Sequence, residues 1–252
     1  MHPAHTQRAY RLRFDWGLAG ARAAGADADV VVVVDVLSFT TTLSVAVEAG
    51  MEVLPYRWND GTATRYAAER QAVLAVGRSV AGPGEVSLSP ATIRANAAVR
   101  RVLLPSPNGS TISLLTGASG ATVVGASLRN FSAVARWITR RAAPRVPTVA
   151  VIAAGERWDD GSLRPAVEDL WGAGAVIRSL QDAGLVDASP EAEAAVAAYA
   201  AVEKDAPAAL RACASGRELI GNGYAGDVEI AAEIDRCPAV PVLSGAAFVA
   251  AS

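Results

Sequence analysis

Residues 30–47 read VVVVVDVLSFTTTLSVAV, and the fold follows from how this stretch is read. Five valines, Val30 to Val34, run unbroken into Asp35. A β-branched run without polar alternation is a strand buried on both faces, as in a parallel sheet covered by helices. Thr40, Thr41 and Thr42 follow, then Leu43, Val45, Ala46 and Val47 at helical spacing. The stretch is therefore expected to be a strand, a short polar turn and a helix N-terminus. In open α/β sheets, ligands bind beyond the carboxyl ends of such strands. The free N–H groups and positive dipole of a helix start suit a phosphate or another anion. A carboxylate beside them suits a hard cation such as Mg²⁺. The same residues also fit a plain helix cap built from Asp35 and Thr40.

Outward from this stretch, strand and helix alternate. Strands are expected at 11–16, 52–56, 73–76, 102–104, 121–125, 147–153 and 240–243, besides 30–34. Helices are expected at 17–24, 40–49, 62–72, 90–98, 111–115, 130–141, 166–182, 191–202, 207–215 and 227–235. Asn59-Asp60-Gly61 marks a turn, and Gly77–Ser89 a long Gly/Ser-rich loop. The alternation predicts a three-layer α/β/α fold with a largely parallel sheet, as one α/β domain over residues 1–252 or as a two-lobed variant of it. There is an internal repeat, about 30–72 and 101–141. Thr111 follows Thr42 by 69 positions, and Gly120 and Asn130 follow Gly50 and Asp60 by 70. Each copy reads as a βαβ unit, and two such units could set their helix N-termini around one site. Gly172, Ala173, Gly174 and Ala175 give the 166–182 helix a small-residue face for close packing on the sheet.

Composition narrows the chemistry. The chain has 252 residues, 52% of them hydrophobic, and a net charge of −2, far from the basic footprint of a nucleic-acid binder. No stretch reaches the roughly 18 apolar residues of a membrane span. The start, MHPAHTQRAYRLRFDWG, lacks an apolar segment of signal-peptide length. Two distant cysteines, Cys213 and Cys237, form neither a disulfide framework nor a metal motif, which favours a reducing cytoplasm. The only histidines, His2 and His5, fall in a terminal tail expected to fray. That leaves no Ser-His-Asp triad, His-ligated zinc or phosphohistidine. The dinucleotide and P-loop glycine motifs are absent as well.

Polar residues gather at the expected strand ends. Asp35, Glu156, Glu168 and Asp169 are candidate Mg²⁺ ligands, and Asp35, Glu156 and Asp169 candidate catalytic groups. Ser38, Thr40, Thr41, Asn108, Gly109, Ser110 and Asn130 are candidate donors to a bound anion. Arg78 and Arg157 could grip anionic oxygens bidentately. Plainer roles fit several of them: Glu168 and Asp169 suit the first turn of a helix, Arg157 a surface position, and Asn108-Gly109 a turn.

Five segments in order resemble the ComB-like 2-phosphosulfolactate phosphatases. They are VVVVDVLSFTTTLSVAVEAG, SPNGSTISLL, GASLRNFSAVARWI, AAGERWDDGSLRPAVEDLWGAGAVI and SGRELIGNGYAGDVEIA. The resemblance implies an α/β, Mg²⁺-dependent phosphomonoesterase of the coenzyme M route. It implies a small anionic phosphate ester as partner; the net charge and the lack of an apolar span add no nucleic acid and no membrane, and a homodimer stays open. The chain departs from the family pattern at three places. Ser38-Phe39 stand where the family has an Arg, Val76-Gly77-Arg78 lacks an acid, and Val86–Pro90 lacks an Asp and an Asn. The favoured expectation is hydrolysis of 2-phosphosulfolactate to sulfolactate and phosphate. The alternatives are another phosphorylated hydroxy acid as substrate, or a non-catalytic anion- or metabolite-binding protein with a decayed site.

Overall fold

The computed structural model describes residues 2–57, 61–142 and 144–251. The Asn59-Asp60-Gly61 turn lies outside the described residues except for Gly61, and Asp60, a marker of the first repeat, lies outside with it. The chain opens with a 3-10 turn at Pro3–Thr6, then β1 (Leu12–Trp16), α1 (Gly17–Ala24), β2 (Val30–Val34), α2 (Phe39–Glu48) and β3 (Glu52–Arg57). It continues through α3 (Ala63–Glu69), β4 (Val73–Leu74), α4 (Pro90–Ala95), β5 (Arg101–Ser106) and α5 (Gly109–Gly117). Next come β6 (Thr122–Ala126), α6 (Phe131–Ala142), β7 (Val149–Ala153) and the short pair β8 (Glu156–Arg157) and β9 (Leu163–Arg164). The last part holds α7 (Val167–Asp182), α8 (Pro190–Ala200), α9 (Ala206–Ala212), α10 (Ala214–Gly221), α11 (Ala225–Ala231), β10 (Pro241–Ser244) and β11 (Ala247–Ala250).

Nine strands form one sheet in the order β1-β7-β2-β6-β10-β11-β3-β5-β4. Pairing is parallel everywhere except at β6–β10, β10–β11 and β11–β3. The five-valine strand β2 lies between β6 and β7, and all five residues are buried. Val30, Val32 and Val34 join one core cluster, with Val134 and Ile138 of α6 and Val176 and Ile177 of α7. Val31 and Val33 join the cluster on the other face, with Ala21 and Ala24 of α1 and Leu43 and Val47 of α2. One strand thus feeds both cores, which is the three-layer α/β/α arrangement. Each buried valine contributes roughly 1.5–3 kcal/mol relative to leaving it in water. The small-residue face of α7 serves two neighbours. A Cβ on Gly172 would lie 2.8 Å from Val34 of the sheet and from Val36 just beyond it, whereas one on Gly174 would lie 2.0 Å from the Ala195 carbonyl oxygen in α8.

Corresponding elements of the two stretches start at the same offset. Ser38 and Asn108, the N-cap residues of α2 and α5, are 70 positions apart, as are Glu52 and Thr122, which begin β3 and β6. The copies interleave: β2 of the first pairs with β6 of the second, and β3 of the first with β5 of the second. Three local expectations are corrected. The 207–215 helix is two helices, broken at Cys213, whose ψ of 163° is extended. The last strand is a hairpin, because Gly245 at φ 60° reverses the chain and returns it as β11. The N-terminal tail is not frayed at Gln7, whose buried amide donates to the Phe14 carbonyl at 2.7 Å and accepts from the Phe14 N–H at 3.1 Å.

Helix α2 is buried from Phe39 to Val47, and it carries two hydroxyls without partners among the described residues, those of Thr41 and Thr42. A buried unsatisfied hydroxyl costs about 1–3 kcal/mol. Thr42→Val keeps the shape and removes the hydroxyl. Urea denaturation is expected to show it more stable by about 1 kcal/mol; lower stability would mean that the Thr42 hydroxyl has a partner.

Candidate active site

Asp35 is the first residue beyond β2, buried, with both carboxylate oxygens engaged. Oδ1 accepts from the Phe39 N–H and Oδ2 from the Gly109 N–H, each at 3.1 Å. Phe39 opens α2 and Gly109 opens α5, so the two repeat units direct their helix N-termini at a single carboxylate. This closeness requires glycine at 109, where a Cβ would lie 2.3 Å from Phe39 Cδ1 and 2.7 Å from Asp35 Oδ2. The next N–H groups of α5, those of Ser110 and Thr111, have no protein partner among the described residues.

Asp169 ties two strand ends together. Its Oδ1 accepts from the Val36 N–H at 2.7 Å, just after β2, and its Oδ2 from the Gly155 N–H at 2.9 Å, just after β7. Glu168 precedes it in the first turn of α7 and is buried beside Cys213. Glu156 begins β8, and the Asn108 amide donates to its Oε2 at 3.4 Å and to the Gly155 carbonyl at 2.9 Å. The structure therefore brings together the four acids expected from sequence.

Their crowding shows in their acidities. Burial pushes Asp35 up to about 6, with the nearby negative charge of Glu168 adding to it; the two N–H donors and Arg78 pull the other way. Burial and then the charges of Asp35 and Glu168 push Glu156 up to about 7. Asp169 is raised by burial, Asp35 and Glu168. The cluster holds more negative charge than nearby cations offset, an environment that favours a cation. Among the described residues, no three His, Cys, Asp or Glu side chains form a ready-made metal cage.

The remaining candidates divide. Arg78 donates from Nε to Asp227 at 2.9 Å and from Nη2 to the Ser38 hydroxyl. Asp227 is buried and also accepts from the Ser89 hydroxyl, so the charge of Arg78 is largely matched. Arg157 is exposed and donates to Asn108 Oδ1 at 3.1 Å and to the Gly161 carbonyl at 3.1 Å. The Thr40 hydroxyl is committed to the backbone of Asp35, and the Ser110 hydroxyl to the Leu104 carbonyl. Thr41 is fully buried. Asn130 heads α6, where its amide accepts from Ser127 N–H and donates to the carbonyls of Gly125 and Ala239; none of these bonds reaches the carboxylates. Sequence reading missed Asp227, whose place in the first turn of α11 looks like ordinary helix-dipole chemistry. Its partner Arg78 is 149 positions away.

Comparison with known proteins places this α/β scaffold among the phosphoric monoester hydrolases. A model of the 2-phosphosulpholactate phosphatase family matches residues 21–246. A curated protein of Thermus thermophilus, described as a probable 2-phosphosulfolactate phosphatase, is 31% identical over 221 residues, covering 86% of this chain and 89% of the relative. The chain belongs to the 2-phosphosulpholactate phosphatase family. Among the described residues no helix is long and apolar enough to cross a membrane.

Proposed function

We propose that the chain hydrolyses a small 2-phospho-hydroxy acid with Mg²⁺, 2-phosphosulfolactate being the substrate its family and its relative indicate. The observation that carries this reading is the carboxylate cluster, with Asp35, Glu168 and Asp169 buried and Glu156 partly buried, Asp35 and Glu156 raised to about 6 and 7, beside free N–H groups at the start of α5. Asp35 and Glu168 would hold the ion. When bound, Mg²⁺ would neutralise the carboxylates and the phosphate oxygens they would otherwise repel. The Ser110 and Thr111 N–H groups would donate to the phosphate, where negative charge builds up in phosphoryl transfer. Asp169 is a positioning residue that keeps the ends of β2 and β7 in register. Glu156 holds a proton near neutral pH and passes it to the ester oxygen as the alcohol leaves, while a water supplies the new oxygen on phosphorus; one of the water's protons stays on the product phosphate and the other returns to Glu156. A general acid contributes most when its pKa lies near the working pH.

The test is a panel of phosphomonoesters with purified protein, with and without Mg²⁺. Expected are Mg²⁺-dependent phosphate release and a turnover that declines as pH rises and Glu156, its acidity lowered by burial, loses its proton. Glu156→Gln is expected to lower turnover about 10²–10⁴-fold. Failure to release phosphate from any ester, 2-phosphosulfolactate included, would overturn the proposal.

A further inference from the structure

The arginines that are not exposed divide by partner. Arg13, Arg70, Arg78, Arg101, Arg129 and Arg178 each form an ion pair with an acid. Arg164 of β9 is half-buried too, yet among the described residues no carboxylate pairs with it. Its Nη2 donates to the Ser215 hydroxyl at 3.1 Å, in the first turn of α10, and its guanidinium carbon lies 5.8 Å from the centroid of the Trp158 ring. These contacts hold the guanidinium and leave most of its N–H groups unused.

Arg164 stands beside the group that delivers the proton. It is the partner of Glu156 across the β8–β9 ladder, which puts the two side chains on one face. Burial raises the Glu156 carboxyl, and the charge of Arg164 pulls it back. Glu218, exposed one turn further along α10, also bears on Glu156 but forms no ion pair with Arg164. Glu156 acts in its protonated form, so it does not neutralise Arg164 either. A half-buried guanidinium without a counter-ion has lost water that the protein does not replace, and a bound anion replaces it. We infer that Arg164 binds the carboxylate of the substrate and selects for it. This inference rests on the phosphatase reading above. In a 2-phospho-hydroxy acid the carbon that bears the ester oxygen also bears the carboxylate, whereas the sulfonate of 2-phosphosulfolactate is one carbon further away. The anion next to Glu156 is then the carboxylate, whose two oxygens match the guanidinium fork. Arg78 and Arg157 are less available: Arg78 is matched by buried Asp227, and Arg157 donates from Nε and Nη1 to Asn108 and the Gly161 carbonyl.

The test compares kcat/KM of the Mg²⁺-loaded wild type and Arg164→Gln on three esters. They are 2-phosphosulfolactate, 2-phospholactate, which has only the carboxylate, and 2-phosphooxyethanesulfonate, which has only the sulfonate. Charge-assisted hydrogen bonds of this kind are worth about 10- to 100-fold. The ratio of phospholactate to phosphooxyethanesulfonate is therefore expected to fall at least tenfold in the variant, and activity on 2-phosphosulfolactate with it. An effect that runs through Glu156 acts on all three esters and cancels in the ratio. Arg164→Lys, which keeps the charge and loses the fork, carries the same test if melting curves show that the Gln variant does not fold. An unchanged ratio would overturn the inference and leave Arg164 as a counter-charge to the carboxylates. A higher ratio would assign Arg164 to the sulfonate, which overturns it as well. Both of those results leave the phosphatase reading standing, whereas no phosphate release from any of the three by wild type would overturn the two together.

Discussion

Asp35→Asn is expected to lower turnover at least 10³-fold while the protein still folds. The substitution removes one negative charge and little volume. Loss of a metal ligand or of the group that organises the reacting phosphate costs several kcal/mol of transition-state stabilisation. As a helix cap alone, Asn would substitute for Asp with little cost. The geometry makes the exchange less innocent. Both oxygens of Asp35 accept backbone N–H groups, from Phe39 and from Gly109. An amide offers one acceptor oxygen, so one N–H then faces an NH₂ group, at about 1–3 kcal/mol.

The charge works in the opposite direction and depends on pH. The folded-state pKa of Asp35, about 6, lies above its ordinary value of 3.8. Folding therefore favours the protonated form. The associated stability is complete below about pH 4 and is lost as pH rises through 6, on the order of 2–3 kcal/mol. Glu156 and Asp169 shift in the same direction. The metal-free wild type is thus expected to melt at a lower temperature at pH 8 than at pH 5, and the Asn variant is expected to lose less over that interval. Mg²⁺ is expected to raise the melting temperature of the wild type at pH 8 and that of the variant by less. Turnover of the variant within tenfold of wild type would remove Asp35 from the mechanism.

Gly109→Ala is the second large effect. The added methyl would sit 2.3 Å from Phe39 Cδ1 and 2.7 Å from Asp35 Oδ2. Neither neighbour can move aside easily, since Phe39 is fully buried and Asp35 is held from both helix starts. Overpacking of this kind costs about 1–3 kcal/mol, occasionally more. Denaturant unfolding is expected to show a loss of about 3 kcal/mol or more. Turnover is expected to fall about 10²-fold even in the folded fraction, because Asp35 shifts with the backbone donor that holds it. Gly221→Ala is the control: a Cβ there meets nothing within 4 Å, at the end of α10. It is expected to leave stability unchanged or to raise it. Equal stability of Gly109→Ala and wild type would mean that α2 and α5 approach less closely than described.

Where a site residue depends on the chain near it, the sequence shows it. The valine run places Asp35 at the end of a buried strand because burial on both faces tolerates no polar residue before that point. Glu156 follows the apolar strand 149–153 for the same reason, and Glu168 and Asp169 open the helix whose glycines let it pack against β2 and α8. Even the repeat is legible, because each copy keeps its own strand, turn and helix in order.

The partners of these residues are not legible. Arg78 reads as a free grip for an anion until α11 brings Asp227 against it, and the hydroxyls of Thr40 and Ser110 read as ligand donors until backbone carbonyls take them. The sequence by itself determined the layers, the buried strands and the four carboxylates, because the side-chain period of two or 3.6 is a property of neighbouring residues. The tertiary structure alone decided that the copies exchange strands, that the hairpin of β10 and β11 joins the two parallel halves of the sheet, and which polar groups remain free for a ligand. Those outcomes depend on how distant segments bury one another and satisfy one another's hydrogen bonds, and no local pattern encodes that match.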